Sequence, residues 1–106
     1  MKKRSLNIMG NVKVIENLKA QLLRVVADFY TLLTRGSNVA EEAIVECISS
    51  AIIILYVLGD KLGYSASKID DEIKNKLEFG IRSEDEIERE GKSLSKLKEY
   101  ILKRRD

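Results

Sequence analysis

The sequence predicts an all-α protein, a helical bundle of two long antiparallel helices and two to three shorter ones, and three observations carry that prediction. The chain contains no proline, so no residue breaks a helix interior by removing a backbone donor. From Ile15 to Leu32 apolar residues recur at intervals of three and four, the spacing of one helix face. Residues 39 to 63, VAEEAIVECISSAIIILYVLGDKLG, open on acids, run uncharged from Cys47 to Gly59, and close on Lys61 and Gly63. That order of charge suits a helix dipole with a glycine stop. Strand-like alternation is confined to a weak VKVI near the start. A strand reading of Ala51 to Leu58 lacks partner strands and is flanked by helix caps.

The first helix is expected from Asn11 to Thr34, with Ile15, Leu18, Leu22, Val25, Phe29 and Leu32 on the buried stripe and Val26 and Leu33 widening it. Gly36 ends it. Ser37 and Asn38 can cap the second helix, with Glu41 completing a capping box three residues beyond Asn38. So short a link makes the two helices antiparallel neighbours.

The second helix is apolar on nearly every side, interrupted only by Glu46, Ser49 and Ser50 within its middle. Such a circumference calls for burial in a large core or a membrane. A bilayer requires about 20 largely apolar residues, and here Glu41, Glu42 and Glu46 crowd one end while Asp60 and Lys61 close the other. The soluble reading is preferred. Because 106 residues make one small core, the remaining cover is expected from further copies of the chain, as a homodimer or homotetramer.

Ser67 is expected to cap a third helix, SKIDDEIKNKLEFG, with the stripe Ile69, Ile73 and Leu77, and Gly80 to stop it. Residues 81–92 offer a capping box, Ser83 with Glu86, but little apolar content, and read as a connecting segment or an exposed turn of helix. A C-terminal helix over 93–104 follows through Leu94, Leu97 and Ile101, flanked by Tyr100 and Leu102. The whole reads as one helical domain over residues 1–106, preceded by a flexible segment at 1–10.

At 44% hydrophobic and 34% charged, the composition excludes disorder. The net charge of +2 is well mixed and gives no electrostatic case for nucleic acid. Lys2, Lys3 and Arg4 at one end and Lys103, Arg104 and Arg105 at the other read as solvated basic tips. MKKR is not followed by an apolar export segment, so a cytoplasmic protein is expected. The lone Cys47 cannot form an intrachain disulfide and reads as a small buried hydrophobe. With no histidine, neither a Ser/His/Asp triad nor a Cys/His pair can be built in one chain, and one cysteine cannot build a zinc cage. Carboxylates, with or without Mg²⁺, or lysine remain.

Glu42 and Glu46 lie four residues apart and project from one helix face, which Ser49 and Ser50 continue by one turn. Carboxylates on inner faces of bundle helices hold metal ions, whereas acids in the first turns of a helix also serve the dipole alone. On the first helix Gln21, Arg24 and Asp28 share a face, and an Arg24 to Asp28 surface pair is the plain explanation for that acid.

LKAQLLRVVADFYTLLTRGS, then EEAIVECISSAIIILYVLGDKLGY, then IDDEIKNKLEFGI with Lys74 and Lys76, together resemble the small, single-domain branch of the MazG-like all-α nucleoside triphosphate pyrophosphohydrolase superfamily. The resemblance covers roughly residues 12 to 102. It implies E-x-x-E on helix one and E-x-x-D on helix two, four acids binding Mg²⁺ around a triphosphate and releasing pyrophosphate and a nucleoside monophosphate. This chain has Gln21, Arg24 and Ala27 where the first motif falls. In the second motif Glu46 is kept and Ser49 replaces the aspartate. Two readings follow from the resemblance. In one, the metal site is eroded and the chain is a nucleotide-binding or protein-interaction module. In the other, a divergent Mg²⁺-dependent pyrophosphohydrolase uses Asp28, Glu42 and Glu46, helped by Asp70 or Asp71, with Lys76 on a phosphate.

Overall fold

A computed structural model describes residues 2–36 and 40–104, with side chains from residue 11 onward. The protein is all-α: among the described residues five helices run in the order α1 (Lys2–Leu33), α2 (Glu41–Lys61), α3 (Ala66–Arg82), α4 (Glu86–Arg89) and α5 (Ser93–Arg104). The two long helices come first and the three shorter ones follow, as the sequence predicts. The chain divides into two compact units, Met1–Ala66 and Ser67–Asp106.

The first unit is the α1–α2 hairpin. Its antiparallel sense is fixed by the short link at one end and, at the other, by the Asn11 side-chain amide donating to the Lys61 carbonyl at 3.5 Å. Half-buried positions on α1 fall at Asn11, Ile15, Leu18, Leu22, Val25, Phe29 and Leu32, an alternation of four and three. Facing them, Ala43, Cys47, Ser50, Ile54, Val57 and Lys61 of α2 follow the same alternation, and of these only Ile54 is buried rather than half-buried. The two stripes therefore form a single seam of coiled-coil spacing. Cys47 is a half-buried free thiol within it, less enclosed than the sequence reading expects.

The ends of the hairpin helices differ in part from expectation. α1 begins at Lys2 rather than Asn11, since the preceding residues contain no proline and several good helix formers. α2 begins at Glu41 after Ala40, which is extended and supplies no side-chain cap. The expected caps Ser37 and Asn38 lie outside the described residues. The C-terminal end matches expectation: Gly63 adopts φ +96°, its N–H donates to the Asp60 carbonyl at 3.0 Å, and the Tyr64 N–H donates to the Gly59 carbonyl at 2.8 Å. This pair of bonds is the Schellman motif, which only a left-handed C′ residue allows.

In the second unit three sequence expectations are corrected. Ser67 does not cap α3, because the helix already starts at Ala66. Nor does Gly80 end it, for α3 continues to Arg82. Gly80 is buried, and a Cβ built there would lie 2.6 Å from Leu94 Cδ1. The glycine serves the close approach of Leu94 from α5 rather than a turn. The chain turns instead at Glu84, with φ +53°. Asp85 then caps α4, its side chain accepting from the Ile87 N–H at 2.9 Å, in place of the expected Ser83. A capping side chain must stand directly before the first helical turn, and Asp85 does.

Glu88 is the buried charged side chain of this unit. Its carboxylate accepts from the Ser95 N–H at 3.0 Å and from the Ser95 hydroxyl, so it caps the first turn of α5, where backbone donors lack helical partners. The Ser95 hydroxyl, the Ser95 and Leu94 N–H groups and the Lys92 charge hold this carboxyl below the usual glutamate range, although burial acts against them. A lowered folded value means that the stabilisation is present above the unfolded value and disappears as the pH falls through the folded one. Glu88→Gln is expected to loosen α5 at neutral pH and to flatten the acid limb of a helicity titration from pH 7 downward; an unchanged acid limb would remove this role.

Candidate functional site

The seam divides the hairpin into two sides. Positions one or two residues after the seam carry Leu23, Val26, Tyr30 and Leu33 on α1 and Ile48, Ile52 and Leu55 on α2, all exposed. Positions one residue before it carry Gln21, Arg24, Asp28 and Thr31 on α1 and Glu42, Glu46, Ser49 and Ile53 on α2. Because the helices are antiparallel, the positions following each seam project to a common side and those preceding it to the other. One side is therefore apolar and the other largely polar. Every first-unit residue singled out from the sequence for chemistry lies on the polar side or beside it.

The register across the polar side can be read from a cleft of about 530 Å³ lined by Gln21, Arg24, Val25, Ser50, Ile53 and Ile54. Arg24 and Ser50 are level there. Asp28 follows Arg24 by one turn on α1 and Glu46 precedes Ser50 by one turn on α2, on the same side of the seam. Glu41, Glu42, Val45 and Glu46 line a second, shallower cleft of about 470 Å³ at the start of α2. Asp28 is not part of that lining. Among the described residues no three His, Cys, Asp or Glu side chains gather closely enough to hold a metal ion. Asp28, Glu42 and Glu46 thus share a side of the hairpin without converging within one chain.

The donor set does not fit a Mg²⁺–triphosphate centre in one chain. Mg²⁺ demands hard oxygen ligands in near-octahedral geometry, whereas here a guanidinium occupies the level next to Glu46 and Asp28. Gln21 and Ser50 add only neutral oxygens. The expected Arg24 to Asp28 surface pair is absent from the ion pairs of the described residues, which include Lys19–Glu16, Lys76–Glu72, Lys98–Glu78 and Lys103–Glu99. Pairs of this i,i+4 kind stabilise by only about 0.3–0.5 kcal/mol, too little to hold two exposed side chains together. Lys76 is itself exposed and lies 3.9 Å from Glu72, while Asp70 is half-buried and Asp71 exposed.

Sequence spacing places Ser50 on the Glu42 and Glu46 face but misses the participation of Val25 and Ile53 in the cleft. Spacing orders residues around one helix but not across two, and Ile53 reads from sequence as one more buried aliphatic. The signal that could have found it is the i+3/i+4 relation of Ser50 and Ile53 to Glu46 and Ser49.

A family model described as the MazG-like family matches residues 8–94. No curated protein and no solved structure matches the chain.

Proposed function

From the premise that the chain belongs to the MazG-like family, we propose that it is an oligomeric, cytoplasmic helical protein with an eroded metal site, acting as a nucleotide-binding or protein-interaction module. One observation carries this reading: the hairpin presents an apolar side with no cover and a polar side whose acids do not converge.

The apolar side fits a second copy of the chain. Leu23 and Tyr30 are 73% and 67% exposed, and a contiguous face of large apolar side chains left in water is the kind of surface that an interface covers. No side chain in the described residues is fully buried, so the hairpin lacks the core that its composition can supply. α2 is long and apolar enough by length and composition to cross a membrane. Its polar side, with Glu42, Glu46 and Ser49, and its seam with α1 favour a protein partner over lipid, because charged side chains at bilayer depth are costly.

On the polar side, a metal-dependent reaction needs several carboxylates around the ion and substrate phosphates. Glu46 alone survives from the pattern that the family resemblance implies. The second reading, a divergent Mg²⁺-dependent nucleoside triphosphate pyrophosphohydrolase, draws support from the placement of Asp28, Glu42 and Glu46 on one side of the hairpin. Pyrophosphate release from a panel of nucleoside triphosphates with Mg²⁺ or Mn²⁺ separates the two. Silence across the panel is expected. Release that Glu46→Ala abolishes would establish the enzyme reading instead.

A further inference from the structure

We propose that the Arg24 cleft is a metal-independent anion site, which takes the phosphate of a nucleoside monophosphate on the guanidinium and seats the base against the aliphatic floor. The proposal rests on the nucleotide-binding reading above and assigns that reading a ligand class and a place.

The cleft has about 530 Å³, within the ~300–1,000 Å³ typical of small-molecule sites. Its lining falls into two chemistries. Gln21, Arg24 and Ser50 supply an amide, a guanidinium and a hydroxyl; Val25, Ile53 and Ile54 supply a continuous apolar surface. Arg24 forms none of the ion pairs found among the described residues, so its five N–H donors are not spent on a carboxylate. A guanidinium presents these donors as a planar fork that matches two oxygens of a phosphate. Ser50 and Gln21 can each donate once more. Ile54 is buried and Val25 half-buried, which gives the floor a fixed surface, whereas Ile53 is exposed and can close over a flat ring.

The same residues explain why the ligand would not arrive on a metal. A cation beside Arg24 would be repelled by it, the more so where solvent is excluded. An anion is attracted instead. Asp28, one turn along α1 on the same side, opposes that attraction and weakens the site without occupying it. A monophosphate, with fewer charges to place near Asp28 and Glu46, suits the cleft better than a triphosphate.

The test is calorimetric titration of the full chain, in EDTA, with adenosine, cytidine, guanosine and uridine monophosphates, with the matching nucleosides, and with adenosine triphosphate. At least one monophosphate is expected to bind at micromolar to millimolar concentration and more tightly than its nucleoside. Arg24→Gln is expected to weaken it at least tenfold, Arg24→Lys less, and Asp28→Asn and Glu46→Gln each to tighten it up to a few-fold. Helicity measured on each variant separates lost binding from lost fold. Nucleosides binding as well as monophosphates would overturn the proposal. Binding that appears only with added Mg²⁺ and vanishes in Glu46→Gln would overturn it and leave the nucleotide-binding reading standing. No binding with or without Mg²⁺ would remove both.

Discussion

Ile52→Glu is expected to convert the protein from an oligomer to a monomer, with a parallel loss of thermal stability. Ile52 lies in the middle of the exposed apolar side, between Ile48 and Leu55, and is 48% exposed in the single chain. If a second copy covers this side, each glutamate must either enter a desolvated interface or keep it open. Removing a buried isoleucine forfeits roughly 2 kcal/mol, and an unpaired charge adds more. With the substitution present in both copies, association weakens by about a thousandfold or more. Light scattering coupled to size exclusion reads the result directly. Ile53→Gln is the matched control: it sits one residue away but on the other side of the seam, and the oligomer should persist. A parent protein that is a stable folded monomer at micromolar concentration would sink the proposal, as would equal effects from the two substitutions.

Rebuilding the missing acids should have the second large effect, a gain rather than a loss. Gln21→Glu, Arg24→Glu and Ser49→Asp together place acids at the positions that the family resemblance implies and remove the one cation among them. Glu46 is already present. Four carboxylates on one side of the hairpin are expected to bind Mn²⁺ or Mg²⁺ weakly, with a dissociation constant on the order of 10⁻⁴–10⁻³ M as in the weaker all-oxygen Ca²⁺ sites, where the parent is expected to bind none. Manganese paramagnetic resonance measures free ion and hence occupancy. The same triple variant should lose monophosphate binding in EDTA, since it lacks the guanidinium. If it gains no metal affinity, the helices do not hold these positions at coordinating distance, and the site is not merely eroded but was never assembled on this hairpin.

The long helices were legible because their information is periodic. Ile15, Leu18, Leu22, Val25, Phe29 and Leu32 define a face on α1 whatever partner they meet, and Lys61 with Gly63 marks the end of α2 by charge and backbone freedom. The second unit was harder to read because its determinants are single contacts. Gly80 has the look of a stop, since sequence does not show Leu94 arriving from fourteen residues later. Ser83 and Asp85 are both competent caps, and only the path of the chain through Glu84 decides between them. Glu88, in a highly charged segment, gives no sign that its carboxylate turns inward to Ser95. At the candidate site the choice of face was legible from spacing. Arg24 and Asp28 were expected to pair on the same grounds, but spacing only permits such a pair and cannot supply the energy to hold it.

The approach of Leu94 to Gly80 also limits how this protein can vary. A glycine codon reaches by single-base change only residues that carry a Cβ, and every one of them would enter the space of Leu94 Cδ1. Alanine comes nearest to neutrality, because the helix propensity it gains, about 1 kcal/mol, offsets a displaced leucine rotamer of about 0.5–1.5 kcal/mol. Serine, valine, aspartate, arginine and the rest add bulk or charge without that balance. The last turn of α3 is therefore a narrow gate for mutation, and the leucine beyond it sets the width.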